Sequence, residues 1–189
     1  AAVISNTNPN YHLEGFVAKA DPMGNWLWAH SFVTLVNGSG EFSTTKSVEL
    51  NAMGDVYLTG TFQGETDFGG SALNVSNTQI YVAKFDGRNG LLNWVVSGGG
   101  IGSNQVFDMA TTSSGGVKIA TICDGFSQWS TSSYVAQGTI DALIVELDTN
   151  GGILNLKGIG ASAQQTVVTQ IQIDQAGDTY LAGTFGGTI

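Results

Sequence analysis

An all-β fold of repeated four-stranded antiparallel units is predicted by three observations. Two different hairpin patterns each recur along the 189 residues. Both recur with one shared period of about 62 residues, the signature of a repeat architecture. No long segment carries the 3.6-residue hydrophobic period of a helix.

The first pattern is Phe16-Val17-Ala18-Lys19-Ala20-Asp21, a turn through Gly24-Asn25, then Trp26-Leu27-Trp28. It returns as Tyr81-Val82-Ala83-Lys84-Phe85-Asp86 before Gly90-Leu91-Leu92, and as Leu143-Ile144-Val145-Glu146-Leu147-Asp148 before Gly151-Gly152-Ile153-Leu154. The second pattern is Val48-Glu49-Leu50-Asn51-Ala52-Met53-Gly54-Asp55-Val56-Tyr57-Leu58-Thr59-Gly60-Thr61-Phe62. Its clearest echo is Ile171-Gln172-Ile173-Asp174 followed by Gly177-Asp178-Thr179-Tyr180-Leu181-Ala182-Gly183-Thr184-Phe185, and a weaker middle copy spans Met109 to Thr121.

Each pattern reads as a β-hairpin. Short apolar or β-branched runs flank an Asp/Asn-x-x-Gly turn, in which the acid or amide accepts backbone N–H bonds two residues on and glycine takes the φ > 0 position. Asp21, Asn51, Asp86, Asp148 and Asp174 are the structural turn residues so assigned. A short connection containing glycine predicts a hairpin with a G1-type bulge. Alternation sets Ile171 and Ile173 on one face and Gln172 on the other. Two hairpins per period make a four-stranded unit, and radial repetition of such units is the logic of a β-propeller. The predicted organisation is one repeat domain: an N-terminal lead at 1–15, then repeats at 16–80, 81–142 and 143–189. The parallel β-helix ranks second, because its coils are nearer 20 residues and need no paired hairpin turns.

These residues resemble the bacterial β-propeller repeat commonly called the SBBP repeat. That family pairs an apolar-Val-Ala-Lys-apolar-Asp-x-x-Gly-Asn-x-Leu-x-Trp hairpin with an Ile-x-Val-Asp-x-x-Gly-Asn-Val-Tyr-Val-x-Gly hairpin. Positions 16–28 and 48–62 match best, and the likeness covers nearly all of the chain beyond residue 15. The middle repeat departs most, with Thr112 in place of the turn acid and Gly115-Gly116 in place of Gly-Asn. PQQ-type propeller repeats share the Asp…Gly…Leu-x-Trp logic, so that alternative stays open. The resemblance implies a large secreted or surface-attached bacterial protein, usually without catalysis, and fold alone supplies no function.

Composition narrows the function classes. Charged residues are only 11% of the chain, well below the usual share, and the formal net charge is −9. Nucleic acid and anionic membrane surfaces need clustered cations, which this chain lacks. No stretch approaches the ~18 apolar residues of a membrane span, and no signal peptide is recognised at the start. The sequons Asn37-Gly38-Ser39 and Asn74-Val75-Ser76 are compatible with secretion but arise easily in so Ser/Thr/Asn-rich a chain.

Three units pose a physical problem, because closed propellers use at least about four blades. Three repeats form an incomplete ring unless the chain assembles, and open sheet edges invite pairing. The last hairpin is of the second type and the first is of the first type, so one end supplies what the other lacks. Two readings stand: head-to-tail self-association into a ring or filament, or neighbouring repeats of a longer chain.

No catalytic residue is assigned. His12 and His30 are the only histidines, and spacing yields no nucleophile–base arrangement. Cys123 shares a face with Val117 and Ile119, which predicts a buried, inert thiol. No cofactor is implied and no metal site is assigned; the Asp86 and Asp148 turns lack the full calcium-loop series, although so acidic a chain can attract calcium. Trp28 and Trp94 fall at packing positions, and Trp26 lies beside them. Trp129 and Tyr134, in a polar stretch between hairpins, are the candidate ligand-binding residues, since aromatic faces stack on sugars; an anchor folded over the sheet edge is the competing reading. The expected function is a non-enzymatic extracellular or cell-surface module for assembly, adhesion or ligand binding, with a glycan-binding, lectin-like propeller as the alternative.

Overall fold

The computed structural model describes residues 5–6, 13–35 and 40–188, so the expectations for His12 and Asn37 fall outside the described residues. Among these residues every regular element is a strand. In chain order, β1 (Phe16–Ala20) pairs with β2 (Trp26–Ser31), and the short β3 (Val33–Leu35) follows. Next come β4 (Phe42–Leu50), β5 (Val56–Asp67), β6 (Ala72–Phe85) and β7 (Leu92–Gly99), an antiparallel meander here called sheet I. Sheet II consists of β8 (Val106–Thr111), β9 (Val117–Cys123), β12 (Asp141–Leu147) and β13 (Ile153–Ile159). Between β9 and β12 the hairpin of β10 (Phe126–Trp129) and β11 (Ser132–Val135) is inserted. The chain closes with the hairpin of β14 (Thr166–Ile173) and β15 (Thr179–Phe185).

Strand content and antiparallel pairing agree with the predicted class, but the grouping of hairpins differs. The expected units 16–80, 81–142 and 143–189 are not sheets: β1 and β2 make no ladder with β4 and β5. Each four-stranded sheet instead joins a second-type hairpin to the first-type hairpin that follows it. Among the described residues there are hence two four-stranded sets and two lone hairpins, not three four-stranded repeats. The reason is the connection after β5. Asp67 accepts from the backbone N–H groups of Gly69 and Gly70, the Phe68 N–H bonds Ser71 O, and this tight turn sends β6 straight back along β5. First-type hairpins are instead followed by links that cross to the next sheet.

The sheets pack face to face. Tyr57, Ile80 and Val82 of sheet I meet Met109, Ile119, Leu143 and Val145 of sheet II in one core. Val17 and Trp28 of the N-terminal hairpin join Leu58, Phe62, Tyr81 and Phe85 in a second. Ala120, Ala142 and Ile144 of sheet II meet Val168 and Ile171 of the C-terminal hairpin in a third, smaller core. The first strand of each second-type hairpin carries a bulge at the same repeat position, leaving Lys46, Phe107 and Thr169 out of register. These strands, β4, β8 and β14, are neighbours, and Asp108 ties them together. Its carboxylate accepts from the Ser47 hydroxyl at 3.2 Å and the Ile171 N–H at 3.1 Å.

The inserted hairpin is the element the sequence did not foretell. The stretch around Trp129 reads as a polar loop, yet it forms two strands that bridge the sheets. β10 adds to the outer edge of sheet I, with Gln128 opposite Gly99 and Trp129 opposite Gly98. On β11, the Tyr134 ring lies over Gly158 of sheet II, where a Cβ would overlap it.

Candidate functional site

The five turn residues cap their own turns. Asp21 Oδ1 accepts from the N–H groups of Met23 and Asn25 at 2.9 and 2.8 Å, and Asn51 Oδ1 from Met53 and Asp55 at 3.0 and 2.9 Å. Asp148 and Asp174 repeat the pattern, and Asp86 accepts from the N–H and guanidinium of Arg88. Glycine at φ between +73° and +93° closes all five, at Gly24, Gly54, Gly90, Gly151 and Gly177. These bonds favour the ionised acids. The Arg88 side chain, with its N–H, pulls Asp86 down from 3.8 to about 2, the Asn25 side chain lowers Asp21, and the Asp178 N–H lowers Asp174. A carboxyl depressed in the folded state stabilises it above the unfolded pKa and loses that contribution as pH falls through the folded value. The melting temperature is therefore expected to fall as pH drops from 4 toward 2. Asp86→Asn should flatten part of that slope, and calorimetry across this range checks both.

Trp129 and Tyr134 are brought into packing, not into a cleft. Trp129 is 0% exposed, its ring lies against Gly98, and its indole N–H donates to Ser127 Oγ at 3.1 Å. No face of it is open for a sugar to stack on. The Tyr134 hydroxyl donates to Asp141 Oδ2 at 2.6 Å, and burial, then the carboxylate, raises its pKa. Cys123 is buried in the same core, with burial pushing its thiol up to about 11. His30 packs against the rings of Trp28 and Phe85. Among the described residues no cluster of three or more His, Cys, Asp or Glu side chains is placed to hold a metal ion.

Trp28 and Trp94 clasp the turn of the following first-type hairpin. The Trp28 indole donates to Gly87 O at 3.3 Å and the Trp94 indole to Thr149 O at 2.9 Å. Each ring also covers a turn glycine: a Cβ would meet the Trp28 ring at 2.7 Å from Gly90 and the Trp94 ring at a tight 3.0 Å from Gly151.

The remaining feature is a pair of open strand edges. β5 is flanked by β4 and β6, and β9 by β8 and β12. Among the described residues the corresponding β15 is flanked only by β14, and β1 only by β2. The consequence is visible residue by residue. Tyr57, Leu58 and Phe62 of β5 are 0–1% exposed, whereas their repeat equivalents Tyr180, Leu181 and Phe185 are 60%, 38% and 58% exposed. Beside β15 runs an apolar groove of about 230 Å³ that Ala142, Ile159, Leu181 and Phe185 help to line. On β1, Phe16 is 55% exposed, while its equivalent Tyr81 is 0% exposed. The repeat count carries the incompleteness, but these residues stand out only where equivalent repeat positions differ in burial.

No family model and no curated protein matches the chain.

Proposed function

We propose that the chain is a β-propeller segment of the SBBP kind, acting as a non-enzymatic assembly module outside the cell or at its surface. It joins a second copy head to tail, by strand addition at its open edges. The observation that carries this reading is the exposure of β15, whose equivalents in both complete sheets are covered by a paired strand. An edge strand carrying Tyr180, Leu181 and Phe185 has no charged residue among Thr179–Phe185 to repel a neighbour, and such an edge is a template for pairing. The radial arrangement is supported by the face-to-face stacking of successive sheets and by the neighbouring bulged strands β4, β8 and β14. A low charge content and a polar, uncharged surface suit an extracellular setting.

Light scattering over a concentration series tests the reading. Head-to-tail joining gives a mass of at least twice 19.6 kDa, two copies if the rotation closes a ring and more if it does not. A chain that stays monomeric at every concentration contradicts it.

A further inference from the structure

We infer that β15 of one copy receives β1 of a second copy antiparallel and in a single register. In that register Tyr180 stands opposite Lys19, and Asp178 forms an ion pair with that lysine. This rests on the assembly reading above and adds the partner strand, its register and the groups that select it.

The register follows from the two complete sheets. In sheet I, Tyr57 pairs with Lys84 and Gly60 with Tyr81; in sheet II, Lys118 pairs with Glu146 and Thr121 with Leu143. Both sheets therefore place a cation at the same rung, between the strands that correspond to β15 and β1. Lys84 bonds Asp55 at 2.9 Å and lies 5.6 Å from the centre of the Tyr57 ring. Lys118 faces Glu146 at 3.9 Å. In repeat numbering Tyr57 becomes Tyr180, Asp55 becomes Asp178 and Lys84 becomes Lys19. The two open edges thus carry the two halves of the sheet I pair, one on each end of the chain.

The half-built site already has the right geometry on the β1 side. The Lys19 ammonium donates to Gly87 O at 2.6 Å, as Lys84 donates to Thr149 O at 3.5 Å. Lys84 uses a further proton for Asp55, whereas Lys19 is exposed with protons left to donate. On the β15 side Asp178 is likewise exposed.

Shape agrees with charge. In sheet I the Tyr81 ring covers Gly60, approaching to 2.9 Å of where a Cβ would stand. The same register sets Phe16 over Gly183. Tyr81, Ala83 and Phe85 face the core shared with the preceding hairpin, so Phe16 and Ala18 of the incoming strand face the groove between Ile159 and Leu181. Small and large residues then alternate against a groove that is apolar and open, while the charge pair selects one rung.

Two experiments on the full chain test the register. With Ala18→Cys and Leu181→Cys in one chain, mild oxidation is expected to give covalent dimers and higher forms. Ala18→Cys with Phe185→Cys, which is out of register, should stay monomeric on a denaturing gel. Lys19→Glu or Asp178→Lys alone should weaken association on the order of tenfold or more, because each leaves a charge unpaired at a covered site. The double reversal should recover most of it. If the wild type associates but both cysteine pairs cross-link alike, or the double reversal recovers nothing, the register is wrong while assembly stands. If the wild type never associates, both fall.

Discussion

Replacing Trp129 with alanine is expected to destabilise the chain by about 3–5 kcal/mol, the range for deleting a large buried aromatic side chain. The indole is 0% exposed and fills the space above Gly98, so its removal leaves a cavity and frees Ser127 Oγ of its donor. The loss reaches beyond one side chain, because β10 is the strand by which the inserted hairpin joins sheet I. Gly98→Ala is the complementary test, since a Cβ there overlaps the indole and should cost stability of similar order. Chemical denaturation of the two variants and the wild type measures this. A loss below about 1 kcal/mol for Trp129→Ala would mean that the ring is not packed between the sheets.

The second large effect is expected at Asp141. Its carboxylate is fully buried and accepts three bonds: from Tyr134 Oη at 2.6 Å, the Gln137 N–H at 2.8 Å and the Gly138 N–H at 2.9 Å. Asp141→Ala strands three donors in a tight space beside Gly160, with an expected loss on the order of 3 kcal/mol. Asp141→Asn keeps most of the shape and one acceptor, so its loss should be smaller. Tyr134→Phe removes the hydroxyl instead and leaves the two backbone bonds in place. An Asp141→Ala variant as stable as Tyr134→Phe would contradict the role given to the backbone bonds.

What the sequence disclosed and what it hid have one physical origin. A tandem repeat shows its period in the residues but not its phase. The two hairpin patterns, their turn acids and their glycines are local chemistry, and Asp21, Asn51, Asp86, Asp148 and Asp174 cap turns through bonds within four residues of themselves. Which hairpin pairs with which depends on the links, above all the turn at Asp67–Ser71, and no periodic signal marks it. The β10–β11 hairpin occupies the repeat position of the distal arms of β5 and β6, Gly64–Asp67 and Ala72–Val75, but the two stretches share little residue pattern, so residue repetition gives no hint of it. Its composition, Ser-, Thr- and Gln-rich around Phe126 and Trp129, resembles a loop because only alternate residues of so short a ribbon meet the core. The open edges are a property of pairing, not of any residue type. Tyr57 and Tyr180 are the same residue in the same pattern, but Tyr57 has β6 beside it and sheet II over its ring, whereas among the described residues Tyr180 has only β14 beside it.

Amide hydrogen exchange, followed as concentration is raised, tests most directly the claim that the two open edges complete each other. In dilute solution the β15 edge amides of Thr179–Phe185 that point away from β14 should exchange fast, and those of β5 facing β6 slowly. At concentrations where the mass has doubled or more, β15 and β1 should become protected together and to the degree seen in β5 and β6. Association that leaves the β15 and β1 amides exchanging as fast as in the dilute chain would contradict the account.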